Sequence, residues 1–218
     1  MARVLLLHGL GGTGATMWPL VGHLANVHHT AFAPTLPGHG SSPDDLVGVE
    51  FDDWVEAARE WDTDVVVGQS MGAAVALALA AEGRVRGAVV VNPLAPDPDA
   101  IDGLEWRQSR GHTTIEVGAS SVGEVAYETL PIEALLAMHT GLLGLDLASV
   151  TVPVLVVTSA DDDVVDPAAS DVVAAALGGE VTRLVLRSGG HVASLDAGRD
   201  VLAAAIVDFV ERVMRPAG

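Results

Sequence analysis

Short apolar runs recur along the chain near residues 3–8, 29–33, 64–68, 86–91, 153–158 and 181–186, each bounded by glycine, proline or polar residues. Most are rich in Val and Leu, and all are too short for core helices, so they read as strands, with Arg3–Leu7 a buried one. Longer segments with helical character lie between most of them. Met71–Ala81 contains good helix formers and small residues, a helix starts near Ala15, and the C-terminal stretch from about Gly198 to Met214 is helical in spacing. Six strands alternating with helices predict an α/β fold, a doubly wound and mostly parallel sheet of about six strands. One domain is expected over residues 1–218.

The alternation is broken between the fourth and fifth runs, where residues 93–150 form an insertion too long for a simple crossover. Its first part, Asp97–Gly123, is polar and contains glycine, a composition that suggests a mobile segment. Its second part, Pro131–Leu147, carries Ile132, Leu135, Leu136, Met138, Leu142, Leu143 and Leu145. These residues form either a helix packed on the sheet or the inner face of a small cap over the strand ends. Trp106 belongs to the wall of such a cap or packs it to the core.

Candidate chemistry begins at Gly68-Gln69-Ser70-Met71-Gly72, between the run ending at Val67 and the Ala-rich helix. A serine flanked at two residues on either side by glycine, at a strand-to-helix junction, is the pattern of a nucleophile elbow. The turn is sharp enough that a Cβ at either glycine would collide with the neighbouring strand or helix. The amide of Met71 then opens a helix, where a developing negative charge is stabilised.

A serine hydroxyl needs a base. The chain has eight histidines, and on a sheet of this type the partners follow in the order serine, acid, histidine. After His139 only His191 remains, in the loop Ser188-Gly189-Gly190-His191 beyond the last strand. The acid is sought in Asp161-Asp162-Asp163, after the strand ending at Thr158; the residues around it favour Asp162. Asp97 and Asp99, after the preceding strand, stay open as reserves, as do Asp161 and Asp163.

The first strand runs into His8-Gly9-Leu10-Gly11-Gly12. Gly9, Gly11 and Gly14 fit a dinucleotide-binding fingerprint, but the second strand ends in Pro34-Thr35-Leu36-Pro37, without the acid that would hold a ribose. The loop reads instead as one whose Leu10 amide completes an oxyanion hole with that of Met71. His8 reads as a structural hydrogen-bonding residue.

Together, the His8-Gly9 loop, Pro37-Gly38-His39-Gly40, the Gly68–Gly72 elbow, the Asp162 loop and His191 resemble the α/β-hydrolase superfamily. Leu36–Pro43, Phe51-Asp52-Asp53-Trp54, Ala126-Tyr127-Glu128 and His191–Asp196 are similar to segments of small bacterial carboxylesterases and monoacylglycerol lipases. The resemblance covers most of the chain and implies a minimal version of the fold, without an opening hairpin before Arg3 and with the insertion as a cap. It implies a cofactor-free serine hydrolase of short and medium acyl esters or monoacylglycerol-like substrates. Ser70 would be nucleophile, Asp162 acid, His191 base, and Leu10 and Met71 the oxyanion donors. Glu124, upstream of Tyr127, would reach a glycerol-like alcohol, and Trp106, Leu135 and Met138 would line the acyl side. Leu10 stands where lipases of this group often carry an aromatic residue, which alters the acyl entrance and not the amide. The same triad would also serve a thioesterase, a carbon-carbon bond hydrolase or a perhydrolase, and some proteins of this architecture bind small molecules without turnover.

Composition narrows the partners. Acidic residues number 29 against 11 basic, a formal charge of -18 that repels nucleic acid and anionic surfaces. Hydrophobic residues make up 50% of the chain, yet no run approaches the roughly 18 residues of a membrane span. Without a leader pattern after Met1, the cytoplasm is the default location. The absence of cysteine removes thiol chemistry, and His28-His29 and Asp161–Asp163 lack a second half-site for a metal. Exposed apolar cap surface is compatible with a homodimer or with contact to lipid aggregates.

Overall fold

The structure is a computed structural model and describes residues 1–215. In chain order the strands are β1 (Arg3–Leu7), β2 (Thr30–Phe32), β3 (Val65–Gln69), β4 (Gly87–Val91), β5 (Thr114–Glu116), β6 (Thr129–Pro131), β7 (Val154–Ser159) and β8 (Val181–Leu186). The helices are α1 (Trp18–Asn26), α2 (Phe51–Arg59), α3 (Met71–Ala81), α4 (Pro98–Ser109), α5 (Ile132–Gly144), α6 (Ala169–Ala176) and α7 (Arg199–Val213). The six apolar runs form one sheet in the order β2-β1-β3-β4-β7-β8, with every pairing parallel. That is the expected doubly wound sheet, with α1 and α7 on one face and α2, α3, α5 and α6 on the other.

The two faces sort by residue parity. Val4 and Leu6 of β1 join Val65, Val67, Val89 and Val91 in a core closed by Leu20 and Leu24 of α1 and Leu202, Ile206 and Phe209 of α7. Leu5 and Leu7 join Val66 and Val90 in the opposite core, closed by Trp54 of α2, by α3, and by Met138 and Leu142 of α5. Strands this uniformly apolar are covered on both sides, as in parallel sheets generally. α3 is buried around its whole circumference from Met71 to Ala80. Its alanines allow this, because a helix of small side chains can lie close to the strands while larger residues fill the space beyond.

In the insertion, Asp97–Gly123 has more regular structure than its polar, glycine-containing composition suggests. It contains α4, which starts where Asp97 accepts the Asp99 amide at 3.0 Å and Pro98 occupies the first turn. No residue of α4 is buried, so local capping and packing on α5 form it without an apolar stripe. β5 and β6 follow as a separate antiparallel pair. In α5, Ile132, Ala134, Met138 and Leu142 are buried, which makes the packing-helix reading correct for that face. The insertion is fastened to loops at the strand ends by Tyr127. Its amide donates to the Gly11 carbonyl at 3.0 Å, and its hydroxyl donates to the Gly38 carbonyl and accepts from the Ser41 amide, both at 3.1 Å.

Candidate active site

β3 lies inside the sheet between β1 and β4, and its C-terminal end delivers Ser70 directly into α3. Ser70 has φ 56° and ψ −119°, a region that non-glycine residues rarely occupy and that costs about 1–3 kcal/mol. The surrounding backbone holds it there. A methyl group on Gly68 would run into the Gly72 carbonyl, and one on Gly72 into the carbonyls of Leu7 and His8. Both glycines are therefore required by close backbone approach, α3 against β3 and α3 against β1. The Ser70 amide donates to the Val91 carbonyl at 3.0 Å, tying the turn to the end of β4.

The loop after β1 closes on the same serine. A methyl group at Gly9 would lie 3.3 Å from Ser70 Cβ and 3.8 Å from its Oγ. Its shape is held by His8, fully buried, whose Nδ1 donates to the Gly9 carbonyl at 2.8 Å and whose Nε2 accepts from the Leu36 amide at 3.0 Å. Burial, with His39 beside it, lowers the His8 pKa to about 3, so the ring is neutral and serves as a strut. The turns on either side of Ser70 are closed by the amides of Gly12, on Gly9, and Ala73, on the Ser70 carbonyl. Those of Leu10 and Met71 take no part in these two bonds.

Among the aspartates left open by the sequence, Asp162 is the one against His191. His191 Nδ1 lies 2.9 and 3.1 Å from the two carboxylate oxygens, with Asp162's side chain 2% exposed. Burial alone would raise the Asp162 pKa. The His191 hydrogen bond and charge, with the amides of Val165 and Val164, outweigh it and hold the carboxyl below its ordinary range. Those amides each donate to Oδ1 at 2.9 Å. Asp97 caps α4, and Asp161 and Asp163 are exposed. The His191 loop is itself fixed at several points. Asp196 accepts the Gly190 amide at 2.7 Å, and the Ser194 amide donates to Gln69, next to Ser70, at 3.3 Å.

Glu124 comes from the insertion to the edge of this assembly. Its Oε1 accepts from the Thr16 hydroxyl at 2.9 Å and lies close over Gly12 in the loop after β1. Burial raises its pKa, partly offset by the Thr16 bond and the charge of His191. Leu10 and Leu135 are half-buried and pack on the core beneath. Met138 is closed into that core at 4% exposure, whereas Trp106 stands 59% exposed on α4, with the Arg110 guanidinium 5.4 Å from its ring centre. Thr16, Gln69 and Asn92 were not singled out by sequence. Each looks ordinary in its own segment and gains a role only from partners brought by distant segments of the chain.

The alpha/beta hydrolase family model matches residues 4–205. A thermostable monoacylglycerol lipase of Bacillus sp. (strain H-257) is 30% identical over 222 residues, spanning 94% of this chain and 89% of the relative. Among solved structures, one of the metagenome-derived lipolytic enzymes LipS and LipT superposes with a TM-score of 0.86 at 26% identity, covering 96% of this chain and 93% of the other. A monoacylglycerol lipase from Paleococcus ferrophilus superposes at 0.77 over 97% and 94% of the two chains, with 15% identity, a likeness of fold.

Proposed function

We propose that this chain, which belongs to the α/β-hydrolase family, is a serine esterase acting on short or medium acyl esters or monoacylglycerol-like substrates. The observation that carries the reading is the Asp162–His191 contact, in a loop bonded to Gln69 next to a serine whose backbone is held at φ 56°. In the proposed reaction His191 Nε2 takes the Ser70 proton as Oγ attacks the ester carbonyl, and the amides of Leu10 and Met71 receive the oxyanion. Asp162 holds the Nδ1 proton and stabilises the imidazolium as it forms. His191 then protonates the leaving alcohol, breaking the ester C–O bond and leaving an acyl-Ser70. Water, deprotonated by the same histidine, releases the acid and restores the hydroxyl. Glu124 is assigned to the alcohol portion, and Leu10 and Leu135 to the apolar wall on the acyl side. The lipase relatives favour glycerol esters as the first substrates to try.

The test is intact mass measurement after treatment with a fluorophosphonate probe, run beside Ser70→Ala. One adduct on the parent, absent from the variant, is expected, together with a loss of ester turnover of about 10,000-fold or more. A folded parent that takes no adduct, or a Ser70→Ala protein that keeps its esterase activity, overturns the proposal.

A further inference from the structure

At the end of β4 sits an asparagine whose side chain faces two other loops. Asn92 is 2% exposed and has φ 47°, a left-handed backbone that asparagine tolerates better than most residues. Its amide is fully used. Oδ1 accepts from the Ser159 amide at 2.7 Å, and Nδ2 donates to Ser159 Oγ at 3.0 Å and to the His191 carbonyl at 2.8 Å. Because one end faces an N–H and the other a carbonyl, the partners fix which way the amide points.

These bonds join three separate segments at one tip of the sheet. Val91, just before Asn92, accepts the Ser70 amide, and the Asn92 amide donates to Val157 of β7 at 2.8 Å. Ser159 closes β7 and accepts the Asp162 amide at 3.3 Å, so it begins the loop that carries the acid. His191 is held at its own backbone. Asp162 alone would fix the imidazole only relative to the acid loop. The Val91–Asn92 tip refers both loops to the serine.

We infer that Asn92 is a positioning residue for the hydrolytic reaction, setting His191 and the Asp162 loop in register with Ser70 through its side-chain amide. This rests on the triad reading above. An aspartate in the same place would keep the acceptor for Ser159 and lose both donors, turning a carboxylate oxygen toward the His191 carbonyl. Asn92→Asp therefore removes both donated bonds, and Asn92→Gly all three. Glycine takes φ 47° without strain and removes every side-chain bond.

The experiment measures kcat and KM on a soluble ester, normalised to sites titrated by the fluorophosphonate, with thermal unfolding recorded alongside. The downfield proton resonance of the His191–Asp162 bond, identified by its loss in Asp162→Asn, is followed in each variant. We expect kcat per titrated site to fall about 10- to 100-fold in both variants, as a displacement on the ångström scale would cause, with KM within about threefold. The resonance should broaden or shift. A residue needed only to join β4 to β7 would lower the unfolding temperature and leave kcat per site and the resonance unchanged, which overturns the inference. So does failure of both variants to fold, which makes Asn92 a folding determinant. A parent that takes no fluorophosphonate fails the triad reading instead, and is seen before any Asn92 variant is made.

Discussion

Around Ser70 the backbone is packed so closely that single methyl groups are excluded, and every loop there is bonded to another: Ser70 to Val91, Ser194 to Gln69, His191 to Asp162. The insertion that overlies these loops contains α4, a helix with no buried residue, and meets them through Tyr127 and Glu124. Under the proposed function, the difference separates reaction from selection. A triad must hold its atoms within fractions of an ångström, so redundant short-range bonds are placed there. In that reading a wall that admits acyl groups needs only approximate shape, which fits an outer helix with no buried residue. Stability should be distributed in the same way, concentrated at the sheet end and thin over α4.

Three substitutions test that contrast, in decreasing order of effect. Gly68→Ala should destroy it at the rigid end. With the methyl directed into the Gly72 carbonyl, we expect no folded protein or destabilisation of at least about 4 kcal/mol, read from thermal unfolding. A folded variant with the parental unfolding temperature would show that the turn is less constrained than its geometry indicates.

Glu124→Gln tests the border between the regions. Because burial raises the Glu124 pKa, the folded state disfavours its ionised form; its stabilising contribution is complete below the unfolded value and lost as pH rises through the folded one. Glutamine removes that cost. The variant should unfold about 2–4 °C higher than the parent near pH 7, and the two should converge toward pH 4. It should also raise KM for glycerol esters while leaving simple alkyl esters alone. A temperature gap that widens in acid would reverse the assigned sign.

Trp106→Ala tests the light end and should do least, changing stability by no more than about 0.5 kcal/mol despite the size of the side chain. The side chain stands mostly in solvent and stacks at the surface with Arg110. A drop of several degrees in unfolding temperature would mean that α4 bears on the core.

The rigid end was also the legible one. Strand positions, the Gly68–Gly72 turn and the His191 loop are written in local pattern, because a buried parallel strand must be apolar throughout and a turn that sharp must have glycine. α4 left no such mark: Ile101 and Leu104 are only half-buried, and its start depends on Asp97 and Pro98, which read equally well as a loop. The three-residue strands β5 and β6 are too short for any periodicity. Asp162 is favoured by the residues around it, yet only the fold brings it, rather than Asp161 or Asp163, against His191. Asn92 was less visible still, since its partners lie 67 and 99 residues away and nothing beside it in the chain announces them.

Tyr127 has a consequence of another kind. It is the chain's single tyrosine, and its hydroxyl bridges Gly38 and Ser41 where the insertion meets the loops. Fluorotyrosine incorporated during expression would therefore give one ¹⁹F signal, reporting from that junction alone. No engineered label is needed to count how many states the insertion visits, or how substrate redistributes them.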